Sequence, residues 1–238
     1  MATSTGVQDS RPTKRLKINY SHEVTVLVGD TSQRFMVHKD ILCWNSPFFQ
    51  AACSKNWWEG IEKIIRLPDH APIAFSIYVD WRYQGVVDLW QGDEHQQTTI
   101  TDTEGEERPD DGPRNDRLIR SYILGDMLQD YKFCNVVIDA WFDLFEGTLQ
   151  IPHHDNINLI FDTFPETSKL RQLITHELAF DTMPETYKDQ NDRYNPQVWK
   201  AIAEMSVTEA DIAHDLKKPK TRGKCFYHVH AEGEARCS

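Results

Sequence analysis

From Glu23 the chain alternates in character. Val24, Val26 and Val28 share one side of an extended segment, with Thr25 and Leu27 between them, a spacing that predicts a strand. Gly29-Asp30 is a turn signal, and Phe35 and Val37 repeat the alternation, so a hairpin is expected. Ile41 and Leu42 suit one short helical turn. Ser46-Pro47 then opens a helix: the hydroxyl accepts an orphan N–H, and proline at the first position lacks no needed donor. Phe48, Phe49 and Ala52 would face inward. Ile64, Ile65 and Leu67 predict a third strand, stopped by Pro68. Ala74, Ile77, Tyr78 and Trp81 fall on one helical stripe, between Pro72 in the first turn and Gly85 just past the end. The segment VVDLW (86–90) reads as a short further strand.

The pattern vanishes over 91–116. Nine acidic side chains there meet only Arg108 and Arg114, so this stretch carries −7 of the net −11. Such a segment buries too little to offset its ordering entropy, and it is expected to be disordered. Helical periodicity then returns, with Ile119, Tyr122, Ile123 and Met127 on one stripe and Phe133, Val137, Ala140, Trp141 and Leu144 on another. Cys134 lies on an apolar face and is expected in the core. Weaker helices follow around 155–162, 168–180 and 196–205. Thr208 with Asp211 resembles a capping box opening a last short helix, and Pro219 is expected to end regular structure. Residues 1–21 read as a polar arm. Its basic cluster Lys14, Arg15 and Lys17 fits a solvated tail or a nuclear-import signal.

Composition narrows the function classes. A 238-residue chain accommodates one large domain or two small ones. Its acidic balance makes it a poor general binder of nucleic acid or anionic membrane, and no apolar run is long enough to span a bilayer. Five cysteines, at 43, 53, 134, 225 and 237, fit a reducing compartment with free or metal-bound thiols. The expected setting is intracellular, cytoplasm or nucleus. Phosphate-loop, dinucleotide, zinc-protease and serine-elbow motifs are absent. His176-Glu177 starts like a zinc-protease motif, but Phe180 stands where the second histidine belongs. His153-His154 beside Pro152 read as surface histidines. No nucleophile, base and orienter assemble, so neither an enzyme nor a small-molecule substrate is expected.

The C-terminal segment carries the one chemical constellation. Cys225, His228, His230 and Cys237, spaced C-x2-H-x-H-x6-C, offer two thiolates and two imidazoles, a common tetrahedral set for structural zinc. If the segment is extended, His228 and His230 point to one side, and Gly233 is available for the turn. Lys217, Lys218, Lys220, Arg222 and Lys224 precede the cluster, and Phe226-Tyr227 lie within it. An alternative reading is therefore a zinc-dependent nucleic-acid-binding tail.

The order of parts over 23–85 resembles the BTB/POZ domain, in particular the short BTB proteins abundant in filamentous fungi. The resemblance rests on Val24, Val26, Val28, Gly29, Phe35, Val37, His38, Lys39, Leu42, Ser46, Phe48, Phe49, Leu67, Pro68, Asp69, Phe75, Tyr78 and Tyr83. It implies an α+β fold, a small sheet flanked by helices followed by a helical C-terminal extension. The implied function is a non-catalytic adaptor that binds other proteins: a second copy, a cullin-type ubiquitin-ligase partner or a transcriptional complex. The implied organisation is an arm at 1–21, a core at 22–92, an acidic insertion at 93–116, closing helices at 117–146, a helical extension at 147–218 and a basic, Cys/His-rich tail at 219–238. Two departures stand out. His22-Glu23 replaces the usual Ser-Asp start, and Ala71, a poor cap, precedes Pro72, weakening that helix start by about 1 kcal/mol.

Overall fold

A computed structural model describes residues 18–54, 63–89, 99–101, 107–109, 112–145, 152–181, 191–234 and 236–237. The basic cluster of the N-terminal arm and most of the acidic insertion lie outside them. Strand β1 (Glu23–Val28) pairs antiparallel with β2 (Gln33–His38), from Glu23 opposite His38 to Val28 opposite Gln33. The turn between them uses Gly29 at φ +75°. A Cβ there would also meet the Pro72 ring at 3.1 Å, so glycine serves both conformation and close approach. Helices α1 (Lys39–Cys43) and α2 (Pro47–Ala52) cross to β3 (Ile64–Leu67), which runs parallel to β1 and gives the order β2-β1-β3. Ser46 caps α2 as expected. Its Oγ accepts from the Phe49 N–H at 3.2 Å and donates to the Leu128 carbonyl at 2.7 Å.

Helix α3 (Pro72–Gln84) buries Ala74, Phe75, Ile77 and Tyr78, and its Ala71 cap makes no side-chain hydrogen bond. Residues 86–89 form no strand. Leu89 instead turns into the core, and its carbonyl accepts from Arg117. The disorder expected over 93–116 meets two exceptions among the described residues. Strand β4 (Thr99–Thr101) pairs antiparallel with β5 (Glu107–Pro109), and α4 (Gly112–Met127) starts five residues before the expected boundary at 117. Asn115 and Leu118 are buried in its first turns.

Helix α5 (Tyr131–Phe145) follows. Its Phe133 ring lies 5.0 Å from Tyr78 and 5.1 Å from Trp81, while Tyr78 stacks on Phe49 at 6.2 Å. An aromatic chain thus runs from α2 through α3 into α5. Cys134 is buried as expected, pressed against Gly125. The extension holds α6 (His154–Thr163), α7 (Lys169–His176) running on as a π-helical turn (Glu177–Asp181), and α8 (Pro196–Thr208). Arg171, nearly buried, ties them by donating to the Phe164 carbonyl and to Gln197.

Two expectations for the C-terminal part need correction. Thr208 closes α8 rather than opening the next helix, because its hydroxyl donates back to the Met205 carbonyl at 3.0 Å; the following helix α9 (His214–Lys217) starts after Ala213. Pro219 does not end regular structure. It sits at the first position of α10 (Pro219–Arg222), where its missing N–H costs nothing, and a 3-10 turn (Lys224–Tyr227) follows. One hydrophobic cluster joins the sheet, the helices and Tyr227. No helix among the described residues is long and apolar enough to cross a membrane.

Candidate metal centre

The tail is docked along a polar stripe of α5. Asn135, Asp139 and Asp143 recur every fourth residue, so they face one way on successive turns. Asn135 accepts from the Val229 N–H at 2.8 Å and donates to the Val229 carbonyl at 2.8 Å. Asp139 Oδ1 lies 3.2 Å from His228 Nε2, off the line of a hydrogen bond, and its carbonyl accepts from Lys224 at 3.3 Å. Asp143 pairs with the Lys224 ammonium. Beneath this layer Tyr227 is fully buried, and its hydroxyl meets His176 Nδ1 at 3.0 Å.

That docking fixes where the four predicted ligands fall. Cys225 Sγ stands 3.5 Å from His230 Nε2, and Cys237 Sγ stands 3.9 Å from the same nitrogen. The chain returns Cys237 through a turn at Gly233, φ +82°, which the Glu234 N–H closes on the Ala231 carbonyl at 3.0 Å. The three donor atoms of Cys225, His230 and Cys237 all lie within 4.8 Å of one another. A tetrahedral zinc with bonds of about 2.3 Å to sulfur and about 2.0 Å to nitrogen holds such donors roughly 3.5 Å apart. His228 falls outside this tight trio but not away from it: its Nδ1 is 3.1 Å from Cys237 Sγ. His228 and His230 thus reach the same sulfur from an extended segment. The Cys225 thiol pushes the pKa of the Cys237 thiol above its ordinary value, a penalty that a bound cation inverts. The cluster is one that a metal ion fits.

His153, His154 and Asp155 also gather donor atoms, at the start of α6. His153 is exposed and His154 is half-buried against Tyr194, so only His153 is a surface histidine in the full sense. His176 is walled in. Burial first, then the Arg222 and Lys169 charges, push its pKa down to about 4. The Glu209 carboxylate lies 3.5 Å from Nε2, and its other oxygen is engaged by Arg222. A surface cleft of about 580 Å³ beside α3 is lined by Asp80, Gln84, Val87, Leu89, Arg114 and Leu144 among others, without histidine or cysteine.

Three members of the basic run have partners within the chain. Arg222 pairs with Glu209 and Lys224 with Asp143, while Lys217 lies over the Phe180 ring at 5.2 Å. Tyr227 is too buried to stack on a base, and Phe226 is flanked by Arg222 and Lys169 at 5.0 and 5.2 Å.

In the N-terminal part, His38 enters α1 with Nδ1 2.6 Å from Tyr83 Oη, a positioning contact as its place in the motif implies. The sheet order, the capped α2 and the aromatic core over 23–84 are now in place, and the comparison with known families agrees with them. Residues 16–101 match the BTB/POZ domain. This is a protein-interaction fold, so protein partners are the coarse expectation for the chain. No curated protein matches the chain. The BTB/POZ match ends at Thr101, yet the core it belongs to continues through α4 and α5. Asn135, Asp139 and Asp143 escaped the sequence reading. Their signal was the four-residue polar spacing opposite an apolar stripe, which marks a face without naming what covers it.

Proposed function

We infer that the chain is a protein-binding adaptor without chemistry of its own. It presents partners to a cullin-based ubiquitin ligase or a transcriptional complex, in the cytoplasm or nucleus. The observation that carries this reading is the BTB/POZ match over 16–101. The run from His38 to Phe49 supports the BTB/POZ reading. Tyr20, Met36, Trp44, Tyr83 and Val86 are large apolar side chains left exposed on this domain, and partners meet the chain there. The tail is a structural element in this reading. Cys225, His230 and Cys237, with His228 beside them, hold one zinc ion that stiffens a segment otherwise short of core.

The test uses the purified full chain. Light scattering reads self-association, and calorimetric titration reads binding to the N-terminal region of a cullin. An oligonucleotide titration at rising salt runs beside them. Saturable protein binding or a stable dimer, weakened by Met36→Glu with Trp44→Glu, supports the adaptor. Steeply salt-dependent oligonucleotide binding, with neither protein interaction, would overturn it.

A further inference from the structure

The tight trio of Cys225, His230 and Cys237 leaves a tetrahedral ion one ligand short. We propose that His228 supplies it through Nδ1, and that Asp139 on α5 is the carboxylate that holds that ring by accepting from Nε2–H. The inference rests on the zinc reading above and names its fourth ligand and second layer. Three observations converge on it. His228 Nδ1 already touches Cys237 Sγ at 3.1 Å, so the correct nitrogen faces the cluster. Its opposite nitrogen lies 3.2 Å from Asp139 Oδ1. And His228 is buried while its Nε2 finds no aligned partner, a cost that a small ring rotation toward the carboxylate relieves.

The consequence is a split in histidine chemistry. His230 presents Nε2 to the cluster and His228 presents Nδ1. A metal-bound imidazole donates its other N–H to an orienting group, and a carboxylate in that role fixes the tautomer and raises ligand basicity. Asp139 fills the role from a helix of the central core, so the ion is tied to α5 and not only to its own loop. Asn135 supports the same geometry one turn earlier, because clamping both backbone groups of Val229 sets the direction of the neighbouring His228. Asp139 is a positioning residue and touches no metal.

The experiment loads the full chain with zinc, or with cobalt as a spectroscopic substitute, and reads three quantities. These are metal per chain, affinity by chelator competition, and the nitrogen-15 imidazole spectrum, which reports which nitrogen is bound. Expected are one ion per chain, His228 bound at Nδ1 and protonated at Nε2, and His230 the reverse. Asp139→Asn should keep the cobalt spectrum of a tetrahedral two-sulfur site while lowering affinity roughly 10- to 100-fold. His228→Ala should lose tetrahedral intensity, with water entering. The imidazole spectrum of the unmutated chain decides the assignment even if a variant folds poorly. Zinc uptake with His228 Nδ1 unperturbed, or with His228→Ala matching wild type in spectrum and affinity, overturns the proposal alone. A chain that takes up no metal under reducing conditions overturns the zinc reading beneath it.

Discussion

Asp130 offers a test of how far the BTB/POZ unit extends. The family match ends at Thr101, but Asp130, only 1% exposed, reaches back into the matched part. Its Oδ2 accepts from the Tyr78 hydroxyl at 3.0 Å and lies 3.9 Å from Arg82 Nη1; its Oδ1 lies 3.4 Å from the Phe133 N–H at the start of α5. Arg82 is itself buried and otherwise donates to the Ile41 carbonyl at 2.6 and 3.0 Å. Asp130→Ala strands a buried guanidinium and a buried hydroxyl together. Breaking one side of such a pair costs about 3–5 kcal/mol. Tyr78→Phe removes a single hydrogen bond to a charged group, about 1.5–3 kcal/mol.

Urea unfolding followed by circular dichroism reads both. At a slope of about 2 kcal/mol per molar, Asp130→Ala lowers the midpoint by roughly 1.5–2.5 M. Combined with Tyr78→Phe, the losses should fall short of additivity by about 1–2 kcal/mol, since one hydrogen bond is counted in both. Hydrogen exchange supplies the sharper criterion. Protection at Val26 and Ile65 in the sheet should fall in step with that at Val137 and Ile138 in α5. If α5 loses protection while the sheet keeps it, or if Asp130→Ala costs under about 1 kcal/mol, the two parts are separate units.

The other expectations are shorter. Gly125→Ala should destabilise by about 1–3 kcal/mol in the same urea assay, because a Cβ there would sit 2.9 Å from Cys134 Sγ and 3.0 Å from the Phe133 ring. Ala71→Ser should stabilise by about 1 kcal/mol, since α3 starts without a side-chain cap; an unchanged urea midpoint would show that its first N–H groups are already satisfied. The His176 pKa lies near 4 when folded and about 6.5 when unfolded, so the unfolded chain binds more protons between those values. Stability from this residue is therefore complete above pH 6.5 and lost as pH falls toward 4, about 2 kcal/mol between pH 7 and pH 5. His176→Gln should flatten that slope, and identical pH dependence in both proteins would refute the assignment.

The strands, the capped α2 and α3 were legible because each depends on local pattern. Val24, Val26 and Val28 alternate, Ser46-Pro47 caps and pre-sets a helix start, and Ala74, Ile77 and Tyr78 share a face. Misreadings arose where one local signal competes with another. Thr208 has a capping hydroxyl, but at a helix end the nearest acceptor is the carbonyl three residues back. Pro219 breaks a helix interior and yet opens one at the first position. Val86 and Val87 are strand-forming residues, but Leu89 is buried and its carbonyl accepts from Arg117 on α4 instead.

The cluster shows the same limit at longer range. Its four donors share a short segment, so spacing alone exposed them. What holds the segment does not, because Asn135, Asp139 and Asp143 stand some ninety positions upstream. Their three contacts go to different chemical groups: a peptide unit at Val229, an imidazole at His228 and an ammonium at Lys224. Sliding the tail by one residue would put the wrong group opposite each of them. Together with the buried Tyr227 beside His176, this gives the tail its register. Docking therefore brings Cys225, His228 and His230 to the helix in fixed order. On the proposed zinc reading, an ion held by the trio of Cys225, His230 and Cys237 would have only to draw in His228 Nδ1, because the turn at Gly233 has already brought Cys237 back.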